Sequence, residues 1–426
     1  MEQAEEGKPE TEVQYSPTAT PILDVLRLVS ARPRRQLGAG AYFLVSSSLM
    51  VLLVGLATIQ AFPSYWFAQP DTWSAWQALC LAIVAVLLAS VAHQAGHLVA
   101  GRLAGFHLRW FEAGSWSLGG GAAAARAIGP VVLTNETLIR EASRKQLMAA
   151  LLSAPVLGLL LSLFAETMNV ALSVSVPGRI GLHVFALASV LIAVASLLPD
   201  VSTRGNYSDG ARLLMMLRKD SRAERWLAIL ELQRKLGQGE LPKSWDPQVV
   251  ARALAVKDDT ADALLAHCLA HRWSAGIQDI SAATRHLEEA LALLGNARVI
   301  LRDQLFLEAA IFQGWFRSNP AKARYWIARV SRLKKLAPLQ RSRFEAAVLW
   351  AEGKLFEGWE KLGEGLVTLR HLPESPARSI AERSLQDWKY QMESRMLTRA
   401  WRSMSMLAQN MEGVEAGPAD MPERAL

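Results

Sequence analysis

The chain has 426 residues, 51% of them apolar, and a mean hydropathy of +0.15. At ~150 residues per domain this length calls for two or three domains, and the apolar share excludes both wholesale disorder and an ordinary soluble protein. The formal charge of +7 and pI of 9.5 raise the question of nucleic acid, but the arginines flank apolar runs and form no basic block interleaved with aromatics, so they read as cationic membrane flanks and no nucleic-acid partner is expected. Two cysteines, Cys80 and Cys268, exclude a disulfide framework and a cysteine zinc ribbon.

Residues 1–40 read as a disordered cytoplasmic segment. Its start is polar and acidic (Glu2, Glu5, Glu6, Glu10, Glu12), which is not the pattern of a cleavable signal peptide. Four uncharged runs follow, Ala41–Phe62, Gln77–Gly101, Leu147–Ala165 and Ile180–Pro199, each near the ~20 residues a helix needs to cross a bilayer. Arg27, Arg32, Arg34 and Arg35 precede the first run, and the loop Pro63–Trp76 has no Lys or Arg but three tryptophans, Trp66, Trp73 and Trp76, suited to an outer interface. Arg102 to Lys145 is again rich in arginine, whereas Asn169–Arg179 carries Arg179 alone. These asymmetries predict four crossings with both termini cytoplasmic and a four-helix membrane domain over 41–218; the location expected is a bacterial inner membrane.

From Leu213 onward apolar residues recur at three- and four-residue spacing among abundant charge, with few glycines. This predicts a cytoplasmic α-helical domain over 219–410. Leu307-Glu308-Ala309-Ala310 and Phe344-Glu345-Ala346-Ala347 recur at an offset of 37, close to the ~34 of tetratricopeptide helix pairs, so a tetratricopeptide-like stack is expected, with an irregular helical bundle as the alternative. Residues 411–426, rich in Gly, Pro and acidic residues, read as a flexible tail. The fold class expected is therefore all-α: a polytopic transmembrane core with a soluble helical domain behind it.

Chemistry concentrates at His93-Gln94-Ala95-Gly96-His97, near the cytoplasmic end of the second run. Histidines four apart on a helix face the same way, and both imidazoles can reach one zinc ion at ~2.0–2.1 Å. Inside a membrane span such a pair is costly and hence a functional candidate; the bland alternative is two histidines bonded to neighbouring helices. A third ligand is needed. Asp209, in Ser208-Asp209-Gly210, follows the fourth run on the same cytoplasmic side as the histidines, so the charge and metal arguments converge on it, with Asp200 and Glu166 as competitors.

These residues resemble the site-2 proteases, membrane-embedded zinc metalloproteases, over roughly residues 78 to 218. His93-Gln94-Ala95-Gly96-His97 is similar to the family's His-Glu-x-x-His helix, and Leu98–Leu118 to its exit into a short strand region. Ala154-Pro155-Val156-Leu157-Gly158 resembles a Gly-Pro-x-x-Asn stretch, with Ala154 for glycine and Gly158 for asparagine. Ser196-Leu197-Leu198-Pro199 followed by Asp209-Gly210 resembles an Asn-x-x-Pro and Asp-Gly motif, with Ser196 for asparagine and a longer insertion. The resemblance implies zinc held by His93, His97 and Asp209, support from Pro155, Pro199 and Gly210, and hydrolysis of peptide bonds in membrane proteins.

Gln94 stands where the family has its general-base glutamate. A carboxylate there takes a proton from the attacking water and returns it to the leaving amine; a neutral amide cannot. Since the amide is nearly isosteric, fold and metal binding are expected to survive while turnover is lost. Two explanations stand: an active enzyme in an inactivated form, or a pseudoprotease scaffold that binds membrane proteins and recruits a cytoplasmic partner through the C-terminal domain. A displaced base, Asp200 or Glu112, is a third option. A transporter is disfavoured because the four runs show no inverted repeat.

Overall fold

A computed structural model describes residues 75–103, 111–113, 116–118, 144–172, 176–201, 207–296, 299–331, 336, 338–372, 374 and 376–415. The N-terminal segment, the first apolar run and most of the tryptophan loop lie outside the described residues.

The membrane part consists of α1 (Ala75–Leu103), α2 (Arg144–Ala171) and α3 (Val176–Leu197), with a small antiparallel hairpin, β1 (Phe111–Ala113) and β2 (Trp116–Leu118), between α1 and α2. The hairpin falls inside the stretch for which a short strand region was expected. Among the described residues three helices are long and apolar enough to cross a membrane: Cys80–His97, Arg144–Ala171 and Gly178–Leu197. They coincide with the second, third and fourth apolar runs. Each of the three helices packs on the other two, and their burial pattern explains how. The interior is built from small residues, Ala82, Ala85, Ala89, Ala154, Ala165, Ala188 and Ala193, while Leu88, Leu160 and Leu163 are 56–67% exposed. Large apolar groups outside and alanines inside is the arrangement that lipid favours, because tails solvate leucine and close helix approach supplies the packing. The three helices are consistent with a membrane protein.

Behind them the chain is a run of helices, short except for the last, which has 40 residues: α4 (Asp209–Arg218), α5 (Ser221–Gly237), α6 (Pro247–Ala253), α7 (Ala261–Gly276), α8 (Ile280–Ala292), α9 (Val299–Trp315), α10 (Pro320–Ile327), α11 (Pro338–Ala351), α12 (Leu355–Arg370) and α13 (Pro376–Glu415). Their starts are written in the sequence: Ser208, Asp220, Asp246, Thr260, Asp279 and Asn319 each accept a backbone N–H in the first turn, and proline follows two of them. Consecutive helices pair as hairpins, α7 with α8, α9 with α10 and α11 with α12, and α13 lies on α12.

The repeated Leu-Glu-Ala-Ala and Phe-Glu-Ala-Ala stretches fall on α9 and α11, which pack together. Their four alanines are wholly buried, and a Cβ on Gly314 of α9 would stand 2.7 Å from the Ala347 carbonyl oxygen. The repeat thus marks equivalent close-packed positions on successive hairpins. Trp315 then stacks on Trp350 at 4.5 Å and on Trp388 at 4.1 Å, joining α9, α11 and α13 through one aromatic column. One boundary differs from expectation. Met411–Glu415 continue α13 instead of opening the tail; the Gly417-Pro418 pair that would stop a helix comes only after them.

The α7–α8 hairpin carries a pH-sensitive pair. His267 and His286 bring their Nδ1 atoms to 3.3 Å, so one ring donates and the other accepts. Burial lowers the His267 pKa against the pull of Glu289. Burial, followed by His267, Arg285 and His271, pushes His286 down to about 4, with Asp279 opposing. An unfolded histidine titrates near ~6.5, so below that pH the unfolded chain binds protons that the folded pair refuses. The pair's stability is therefore complete above ~6.5 and declines as pH falls towards about 4. Urea midpoints of the helices after Asp209 should drop across this window, and the drop should shrink in His286→Gln; an identical slope in that variant would clear the pair of the effect.

Candidate metal centre

His93 and His97 face the same side of α1 because four residues nearly complete a turn. That side meets α2 very closely. A Cβ on Gly96 would lie 2.7 Å from the Ala154 Cα, so only glycine before the second histidine allows this approach, and Ala154 itself is wholly buried. The Ser153 hydroxyl spans the contact, reaching the carbonyls of Ala150 at 2.7 Å and Gly96 at 3.2 Å. Pro155 sits buried inside α2, and Gly158 lets α3 in, with a would-be Cβ 3.4 Å from the Ser189 carbonyl oxygen. The two positions that depart from the family's Gly-Pro-x-x-Asn pattern are thus both helix contacts made by small residues.

Asp209 arrives from the far side of the chain. Helix α3 ends at Leu197, Pro199 prevents its continuation, and a bridge between Val201 and Tyr207 turns the chain back. Ser208 fixes the return: its hydroxyl donates to the Leu198 carbonyl at 2.6 Å, accepts from the Asp200 N–H at 3.1 Å and caps α4 by accepting from Ala211. Asp209 is then the first residue of α4. Gly210 lies so close beneath α3 that a Cβ there would fall 1.8 Å from the Leu197 carbonyl oxygen. Gly210→Ala must therefore push α4 away from α3, and overpacking of this kind costs ~1–3 kcal/mol. A lowered thermal midpoint is expected for that variant, together with weaker metal uptake; unchanged behaviour in both would contradict the contact.

The outcome is one cluster. The Asp209 Oδ2 atom stands 3.2 Å from His97 Nε2 and 4.0 Å from His93 Nε2, and the ligand atoms of all three residues lie within 4.8 Å of one another. Among the described residues this is the only such group of three or more, and it can hold a metal ion. Tetrahedral bonds of ~2.0–2.1 Å put ligand atoms ~3.3 Å apart; the Asp209–His97 pair stands at that spacing, and His93 would have to move closer to join it. Hydrogen bonding supports the fit. The carbonyl of Ala150, 3.0 Å from His97 Nδ1, can only accept, so Nδ1 carries the hydrogen. That turns the bare Nε2 lone pair towards a carboxylate oxygen, two acceptors face to face unless a cation or proton lies between. His93 is buried, yet its Nδ1 has no hydrogen-bond partner among the described residues.

The competing carboxylates are elsewhere. Glu166 pairs with His183 at 2.5 Å, sixteen residues along α2 from Ala150, or ~24 Å of helix. Asp200 is exposed and outside the cluster, and Glu112 belongs to β1. Gln94 is exposed beside the buried His93, on the open side of the helix. Sequence reasoning missed the roles of Ser153, the Ala150 carbonyl and Ser208: a backbone acceptor has no residue signature, and the two hydroxyls bond backbone groups of other segments. The Ser-x-x-Ala cap at the start of α4 was the one available clue. No protein-family model, curated protein or solved structure matches the chain.

Proposed function

We propose that the chain is a zinc metalloprotease of the site-2 type, built to hydrolyse peptide bonds of membrane proteins and silenced as written by Gln94. The observation that carries this reading is the meeting of His93 and His97 with a carboxylate 112 residues further on, at one end of three apolar helices. The donor set, two imidazoles and one carboxylate, matches that of hydrolytic zinc sites. Zinc bound there would polarise the scissile carbonyl and acidify water. The chain's own part is to orient and to exclude. The Ala150 carbonyl holds the His97 ring, Ser153 ties Ala150 to Gly96, Gly96 and Ala154 close the helix seam behind the ring, and position 94, exposed next to the metal face, is where a proton acceptor belongs. On the arginine asymmetry we assign this end to the cytoplasmic side of the membrane. The hairpin stack, tetratricopeptide-like in its paired helices and recurring alanines, supplies a surface for a cytoplasmic protein partner.

Gln94 also favours a second reading, a pseudoprotease that binds membrane segments without cutting them. One experiment separates the two. Zinc-loaded Gln94→Glu protein is co-expressed with a panel of single-span membrane reporters. New cleavage products, removed by a further His97→Ala change, support the protease; intact reporters that co-purify equally with both forms support the scaffold.

A further inference from the structure

The segment that carries Asp209 is gripped on both sides by the soluble half. Three residues after it, Arg212 makes a two-pronged bond to Asp262 of α7, at 3.1 and 3.0 Å, with both side chains largely buried. The Arg212 guanidinium also lies 4.3 Å from the centre of the Trp226 ring and 5.6 Å from that of Tyr207. Two residues before Asp209, the Tyr207 hydroxyl reaches Asp258 at 3.4 Å. Asp258 in turn receives two bonds, 2.8 and 2.9 Å, from Arg225, which is wholly buried and also donates to Thr260, the cap of α7. Burial would raise the Asp258 carboxyl, but hydrogen bonds from Arg225 and Thr260 outweigh it and hold the group ionised below the usual range. Helix α7 is rooted deeper still: Arg272 pairs with Glu308 of α9 at 3.6 Å, and His271 packs edge-on against Phe312.

We infer that Arg212 and Asp262 form a latch by which the cytoplasmic hairpin stack places Asp209 against the two histidines, making Arg212 a positioning residue for the metal site. The reasoning is mechanical. His93 and His97 are fixed by membrane helices, whereas Asp209 sits at the first turn of a ten-residue helix, too short to hold itself. Its position is set by the contacts that flank it: Ser208 and Gly210 tie it to the end of α3, and Tyr207 and Arg212 tie it to residues 258–262. Any displacement of α7, such as a partner bound to the stack would cause, moves the carboxylate and lowers metal affinity without touching a ligand. This rests on the metal-site part of the reading above, not on catalysis.

The test uses the full chain in detergent with zinc alone as the probe, chelator competition for affinity and hydrogen exchange for local order. Asp262→Asn keeps the shape but removes the charge; zinc affinity should fall ~10–100-fold, the size of effect seen when outer partners of metal ligands are lost. Exchange in 209–218 should speed up while α9–α12 stay protected. If the wild-type chain takes up no zinc but Asp262→Asn still frees 209–218, the latch stands and the metal reading fails. If wild-type zinc binding is tight and Asp262→Asn changes neither affinity nor exchange, the latch is wrong and the metal site remains. Should Asp262→Asn unfold the stack, Arg212→Lys decides: it leaves a cation facing Asp262 but loses the fork, so weaker zinc binding with a protected stack supports the latch and unchanged binding overturns it.

Discussion

Replacing Asp209 with alanine is expected to empty the metal site. Each ligand supplies one of only three protein bonds, and a site reduced to two imidazoles loses both a bond and the only negative charge within the cluster. Elemental analysis of purified protein should find about one zinc per chain as written and less than about a tenth of that in His93→Ala, His97→Ala or Asp209→Ala. Glu166→Ala serves as the control, because that carboxylate is engaged with His183 at the other end of α2; it should retain full zinc. The loss should also be visible as stability. A bound ion stabilises only the folded chain, so the thermal midpoint of the chain as written should rise with zinc while that of Asp209→Ala should not. Full occupancy in Asp209→Ala would remove this residue from the site and turn attention to Asp200, the nearest carboxylate in sequence.

What was legible in the sequence was whatever a local period or a count can carry. The apolar runs announced the three described spans, since a helix in lipid needs ~20 apolar residues whatever it packs against. The four-residue spacing of His93 and His97 announced a shared face. Asp209 was reachable by counting crossings, which led to the expectation that it shares the histidines' side of the membrane, and by its Asp-Gly motif, but neither gave a distance; the 3.2 Å approach depends on how Leu197, Ser208 and Gly210 fold the chain back. The seam between Gly96 and Ala154 was not legible, because the register between two apolar helices has no signature in either alone. Nor was the Arg212–Asp262 pair, whose partners lie 50 residues apart among many exposed charges. In the helices after Asp209 the capping residues stand at the helix starts, and the Glu-Ala-Ala repeat, read in the sequence only as a sign of paired helices, lies at the α9–α11 interface, where close packing tolerates only small residues.

Gln94→Glu is expected to produce the largest gain available from a single change. If position 94 borders the reacting centre, as its exposure beside His93 on α1 allows, a carboxylate there accepts the proton that the attacking water must lose and later passes it to the departing amine. Proton transfer of this kind is worth ~10²–10⁴-fold. The substitution swaps an amide for an isosteric carboxylate, so the Gly96–Ala154 seam and the His97–Ala150 bond should persist and zinc content should stay the same in both forms. Under these conditions a change in rate belongs to the base alone. The chain as written should cleave a membrane reporter slowly or not at all, and the glutamate form should cleave it with a pH profile whose acid limb reports the new carboxyl. The scaffold reading expects no gain, on the ground that Gly158 and Ser196 mark a site whose surroundings have drifted as well. At these two places the structure shows helix packing: Gly158 lies in close contact with α3, and the Ser196 hydroxyl donates to the Ala193 carbonyl at 3.0 Å. Similar rates for both forms would defeat both readings and require a base other than position 94, with Asp200 and Glu112 the first to replace.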